Sequence, residues 1–255
     1  MFIGAERGSI PLCEHVVKRT GDLNLIRQID GFTPLGFAAQ EGHLEICAFL
    51  IKQLEDKIPG EKGGWIPLHR AAQEGHLEIC KAIMMHLRNK NPASNDGLTP
   101  LHLAAHSGHL KIWKLLSKNL DDKNPGCHMG WTPFHYAAQY GRLEFCKVLM
   151  ENLDNKNPGN FNGVTPLHLA AGEGQLDVFK QISQHLDVVN PSDNFGRTPL
   201  HWASKFGYLE LCEFIIERIE DLNPCDNDGK TPIYFANEKN HRKIVSLLRL
   251  AQIKD

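Results

Sequence analysis

No apolar run in this 255-residue chain approaches the ~20 residues a membrane-spanning helix needs, so membrane insertion is not expected. Residues Met1 to Arg7 lack the apolar stretch of a secretory signal. The nearest approach to a glycosylation sequon, Asn190-Pro191-Ser192, carries the forbidden proline. Charge is nearly balanced, with a formal net of -2, so no strong field draws the chain to nucleic acid. Cys-x-x-Cys pairs, Gly-x-Ser-x-Gly elbows and His-Glu-x-x-His motifs are all missing, which removes the common zinc, hydrolase and metalloprotease readings. The expectation is a non-enzymatic intracellular protein, cytoplasmic or nuclear, with no cofactor and no metal.

Against these absences stands a strict period. Pro34, Pro67, Pro100, Pro133, Pro166, Pro199 and Pro232 are each 33 residues apart. A second ladder at the same spacing runs Pro59, Pro92, Pro125, Pro158, Pro191 and Pro224, leaving only Pro11 outside. Of the seven cysteines, Cys47, Cys80, Cys146 and Cys212 keep the same phase inside apolar runs, as buried free thiols would. Cys13 is one residue out of step, and Cys127 and Cys225 fall in predicted loops.

One unit shows what the period encodes. Thr132 suits a helix N-cap and Pro133 the first helical position, where a missing N–H is harmless. Gly141 suits the left-handed residue that ends the helix; Gly42, Gly75, Gly108, Gly174, Gly207 and finally Asn240 hold the same place. A second helix follows, with Leu143, Phe145, Cys146, Val148 and Leu149 apolar over an arc wide enough to meet both neighbouring units. The stretch from Asn152 to Gly163, rich in Asn, Asp, Gly and Pro, returns the chain as a loop or hairpin. The alanine pairs, such as Ala104-Ala105 and Ala170-Ala171, fit helices in close contact. A single unit cannot bury both faces, so the fold class is all-α, an α-solenoid of stacked helix-turn-helix units.

The run Thr99-Pro100-Leu101-His102-Leu103-Ala104-Ala105, followed by Gly108-His109-Leu110, closely resembles the ankyrin repeat, and Thr165 to Ala171 does so again. The resemblance covers nearly the whole chain, 1–255, as a single array. A truncated N-terminal unit takes residues 1–30, and full repeats start near residues 31, 64, 97, 130, 163, 196 and 229. It implies hairpin loops between helix pairs, a curved array with a concave face, and function by binding other proteins. Departures include Ile66 for the capping threonine, Gly36 for the motif histidine, and proline after each hairpin asparagine. In the last repeat Tyr234 and Asn237 replace the histidine and an alanine, as a polar cap requires.

Fourteen histidines invite a metal reading, sharpest at His102, His106 and His109. The repeat accounts for two of the three, so structural hydrogen bonds are expected instead. Gly229-Lys230-Thr231 and Asp226-x-Asp228-Gly229 likewise belong to the repeat rather than to a phosphate or calcium loop.

The variable positions of the ankyrin family point to Trp65, Leu98, His106, Trp131, Tyr140, Glu173 and Phe206 as candidate partner-binding residues. Fingertip residues Met129, Phe161 and Phe195 lie nearby, and the row turns basic at Arg197 and Lys230. The expected function is a protein–protein interaction scaffold or adaptor, acting as a monomer. The alternative is a targeting or regulatory piece of a larger effector or enzyme whose active domain lies outside this chain. A third reading makes the hairpin asparagines substrates for hydroxylation.

Overall fold

The computed structural model describes residues 1–20, 31–54, 58–118 and 120–253. These residues form two compact units, 1–128 and 129–255. Among the described residues there are sixteen α-helices and no strand.

In the first unit, α1 (Phe2–Glu6), α3 (Pro34–Gln40), α5 (Pro67–Glu74) and α7 (Pro100–Ser107) pack side by side in one layer. Their partners α2 (Ile10–Thr20), α4 (Leu44–Gln53), α6 (Leu77–Met85) and α8 (Leu110–Ser117) form the second layer. The second unit repeats the plan. Its first-layer helices are α9 (Pro133–Gln139), α11 (Pro166–Gly172), α13 (Pro199–Phe206) and α15 (Pro232–Glu238). They pair with α10 (Leu143–Asn152), α12 (Leu176–Ser183), α14 (Leu209–Ile216) and α16 (Arg242–Ile253). The N-terminal helix pair α1–α2 packs on α3 and α4 as a shortened repeat; residues 21–30, assigned from sequence to the same repeat, lie outside the described residues.

First-layer helices are short because both ends are set by the sequence. Proline occupies the first turn of every helix from α3 onward in that layer. Thr33, Thr165 and Thr231 accept the third-residue N–H with their hydroxyls. At the other end, the six turn glycines take φ between 67° and 90°, and Asn240 takes 61°. A side chain is excluded there twice over: a Cβ on Gly75 would sit 2.5 Å from the imidazole of His109. That imidazole donates from Nε2 to the Gln73 carbonyl (3.0 Å), and His76 does the same to Gln40 (2.9 Å). In the second unit His241 reaches Lys205 (3.1 Å), and Gln175 takes the role toward Gln139 (3.4 Å).

Between layers, the alanine pairs from Ala38 to Ala171 are fully buried. Phe134, Phe145 and Phe179 are the largest fully buried side chains of the second unit. Burial pushes the thiols of Cys47, Cys80, Cys146 and Cys212 up to about 12, so they are inert apolar filling. Cys127 is buried as well, despite its loop position, whereas Cys225 is exposed.

The connecting fingers are turns, not strand pairs. Those at Ser94, Asn160, Asp193 and Asp226 are each held by one side chain that accepts two of its own finger's backbone N–H groups. Asp193 Oδ1 accepts from Phe195 and Arg197 (both 2.9 Å), and Asp226 Oδ1 from Asp228 (3.0 Å) and Lys230 (2.8 Å). Asn160 and Ser94 do the same in their repeats. Hairpin asparagines Asn91, Asn157 and Asn190 are tied down too, each accepting from the backbone N–H of the next helix, at Leu101, Leu167 and Leu200.

Two substitutions separate the faces. Ala170→Leu, between α9 and α13, should destabilise by about 1–3 kcal/mol, because the close helix contact has no room for it. Glu144→Gln, on an exposed carboxylate paired with Lys147, should stay within about 0.5 kcal/mol. Urea unfolding of the two variants measures the contrast; equal losses would mean the layers are misassigned.

Candidate functional site: the first-helix ends and fingers

The motif histidines come first, because they hold the fingers that carry the candidate residues. In His69 the Nδ1 atom accepts the Ile66 backbone N–H (3.1 Å), so the proton must sit on Nε2, which donates to the Leu98 carbonyl (3.2 Å). Each imidazole thus caps its own helix and pins the next finger. His168 bonds Arg197 (3.0 Å) and His201 bonds Lys230 (3.1 Å) in the same way, with Thr165 and Thr198 N–H groups at Nδ1. His135 joins Thr132 to the Val164 carbonyl (2.9 Å).

Both ring nitrogens being engaged, these histidines are neutral. Burial lowers the His69 pKa to about 4 and pulls His168 and His201 down as well. Above about pH 6.5 the folded and unfolded chains both carry neutral imidazoles, and the full stabilisation is present. As pH falls from there toward about 4, the unfolded chain takes up protons that folded His69 refuses, so stability declines. Urea midpoints should therefore drop between pH 7 and pH 5, by up to ~1.4 kcal/mol per pH unit for each such histidine. His69→Gln should flatten part of that slope; an unchanged slope would mean the residue titrates normally. Asp226 adds to the loss at still lower pH. Burial alone would raise its carboxyl, but N–H donors from Lys230, Arg197 and Asp228 hold it below the ordinary range.

The first repeat solves the same problem differently. Gly36 stands where the histidine would be, and a carboxylate from the next finger fills the space. Glu61 Oε1 accepts from the Thr33 N–H (3.3 Å) and hydroxyl (3.2 Å). A Cβ on Gly36 would lie 1.6 Å from that oxygen. Glu61 Oε2 takes the Arg70 Nε–H (3.1 Å), and the guanidinium carbon lies 3.9 Å from the Phe32 ring centre and 4.4 Å from that of Trp65. Gly36→His alone should cost about 1–3 kcal/mol by overpacking. Combined with Glu61→Asp it should recover part of the loss, with a coupling near 1 kcal/mol in a double-mutant cycle.

The candidate residues fall into two groups within this frame. In the first unit Trp65 is half-buried against His69 (ring centres 5.4 Å apart) and beneath Arg70. Leu98 is half-buried, its carbonyl taken by His69. His106 is half-buried at the end of α7, with Nδ1 3.4 Å from the Ser107 hydroxyl. His102 and His109 are committed to Thr99 and Gln73, and among the described residues no group of three His, Cys, Asp or Glu could hold a metal ion.

In the second unit Trp131 is half-buried against Tyr136 (5.3 Å) and His135 (5.8 Å). Tyr140, Glu173 and Phe206 lie at equivalent ends of α9, α11 and α13, and all three are exposed. Glu173 accepts a bond from Gln139 (3.4 Å). The fingertips Met129, Phe161 and Phe195 are exposed as well. Backbone bonds from Phe161 N–H to Met129 and from Asn227 N–H to Phe195 hold them in sequence.

A pocket of about 140 Å³ opens beside Phe206, between α13 and α15. Trp202, Lys205 and Phe235, which line it with Arg197, His201 and Phe206, were not among the residues singled out from sequence. Trp202 occupies the position after the motif histidine, where Leu103 and Leu169 are buried in other repeats. Its ring leans over Gly172, where a Cβ would meet it at 2.6 Å; that glycine is the one sequence signal that the indole has room. A wider depression of about 450 Å³, lined by Asp187, Asn190, Arg218, Glu220 and Asp221 among others, is open and polar.

Stacked helix pairs, capped and linked by a repeating histidine, define a helical-repeat solenoid. A family model described as ankyrin repeats (3 copies) matches residues 1–93, 83–159, 120–190, 151–224 and 167–254, and the chain belongs to the ankyrin-repeat family. A comparison with curated proteins returns no match. Ankyrin repeats are in general protein–protein interaction modules and typically non-enzymatic. Among the described residues, no helix is long and apolar enough to cross a membrane.

Proposed function

We propose that this chain is an interaction scaffold or adaptor that binds partner proteins through the ends of its first-layer helices. The observation that carries this is the placement of Tyr140 and Phe206. They are 44% and 49% exposed, while the aromatic residues Phe134, Phe145 and Phe179 are consumed by the core. Large aromatics outside the core contribute little to folding and are the usual carriers of interface energy. Glu173, between them, adds an exposed charge on the same row. Trp131 completes the proposed surface of the second unit, and Trp65, Leu98 and His106 form the first unit's own; the two tryptophans offer partners only the ring faces left free by their own stacking.

One monomeric array over residues 1–255 belongs to this proposal, supported by the unbroken 33-residue phase. An intracellular location is supported by seven free cysteines, since an oxidising compartment would threaten them.

The test is the double substitution Tyr140→Ala with Phe206→Ala. Its melting midpoint should stay close to that of the parent, because neither side chain fills the core. Affinity for a purified partner should fall by ~2 kcal/mol or more, about 30-fold. A folded double variant with parental affinity would defeat this surface and favour the apolar fingertips instead.

A further inference from the structure

The pocket between α13 and α15 has a chemistry of its own. Its walls are aromatic: Trp202 and Phe206 come from successive turns of α13 and Phe235 from α15. Both charged side chains that line it, Arg197 and Lys205, are cationic, and no carboxylate does. The two cations differ in freedom. Arg197 is held by Asp226 (3.3 Å) and lies 5.5 Å from the Phe235 ring centre, so its position is set. Lys205 has no carboxylate within ion-pair distance among the described residues; its Nζ sits 5.4 Å from the Phe206 ring centre. His201, behind them, is neutral and occupied at both nitrogens. Trp202 adds an indole N–H that is buried without an acceptor among the described residues, a donor whose isolation is unfavourable.

Size narrows the occupant. At about 140 Å³ the pocket is well below the ~300 Å³ at which small-molecule sites begin. It suits one side chain of a bound polypeptide.

We infer that this pocket is the specificity site of the proposed interaction surface, and that it takes an aromatic or large aliphatic side chain flanked by carboxylates. The apolar side chain enters between Trp202, Phe206 and Phe235, and a neighbouring aspartate or glutamate of the partner pairs with Lys205. Complementarity of charge selects the partner: a basic segment would meet Arg197 and Lys205 with like sign, whereas an acidic one supplies the missing counter-charge. The inference rests on the interaction-scaffold reading above and names the partner chemistry for it, an acidic linear peptide.

Three fluorescein-labelled peptides test it by anisotropy against the full chain: Asp-Glu-Phe-Asp-Glu, Lys-Arg-Phe-Lys-Arg and Asp-Glu-Ala-Asp-Glu. The acidic phenylalanine peptide should bind at least about 10-fold more tightly than either of the others, and its affinity should weaken as salt is raised. Lys205→Glu, on a side chain outside the core, should lower that affinity by about 10-fold or more with an unchanged melt. Equal binding of the first two peptides, or a Lys205→Glu variant that keeps the preference, overturns the acidic chemistry. Stronger binding by the basic peptide, lost in Phe206→Ala, would overturn it while leaving the interaction surface standing. Failure of all three peptides to bind overturns the pocket as a peptide site. The scaffold reading is then judged separately, by the Tyr140 and Phe206 double variant against a purified partner.

Discussion

An imidazole with both nitrogens engaged joins one repeat to the next at His69, His135, His168 and His201, and most of what surrounds it follows from that bond pair. Nδ1 must accept, because its neighbour is a backbone N–H at the helix start; Nε2 must then donate, and the next finger's carbonyl is the acceptor within reach. The distance between those two partners fixes how far a finger can sit from the preceding helix. A neutral ring can be buried at little cost once both nitrogens are satisfied, whereas a charged one could not. The same constraint explains the second, independent row of side chains behind the turn glycines, where His76, His109, His241 and Gln175 each reach back to the previous repeat. Two rows of inter-repeat bonds, one at each end of the short first helix, leave it little freedom to tilt.

Where the histidine is missing, the molecule shows what the bond was for. Gly36 leaves the Thr33 N–H without an imidazole acceptor, and Glu61 reaches across from the next finger to accept it, taking Arg70 with it. That carboxylate cannot then brace its own finger as Asp193 and Asp226 do. The finger adopts a 3₁₀ turn at Lys62–Gly64 instead, with glycines at positive φ. One glycine in the motif thus propagates into a changed acceptor, a changed finger and an arginine set between two aromatic rings.

The proposed binding surface is drawn from what this frame does not consume. The core takes Phe134, Phe145 and Phe179, the alanine pairs and the in-phase cysteines; the relay takes His69, His135, His168 and His201; the fingers take Asn160, Asp193 and Asp226. Tyr140, Glu173, Phe206 and Lys205 lie outside these three sets, at the ends of the first-layer helices in the second unit. The first unit offers a different surface, in which Trp65 is already engaged by His69 and Arg70.

The period, the helix ends, the in-phase thiols and the family were all legible in the chain itself. They are local and repeated, so each copy confirms the phase of the others: a threonine and a proline before a helix, and a glycine after it, act within a few residues. The exposed row at Tyr140, Glu173 and Phe206 was also readable, since it follows from position in the repeat. Other features were decided only by packing between repeats. The reach of Glu61 into the space left by Gly36 and the pocket around Trp202 each depend on a side chain meeting a residue about thirty positions away. No local pattern encodes such a meeting, because the shape of the space is set jointly by two repeats, and a single absent Cβ, at Gly36 or Gly172, decides which side chain enters it.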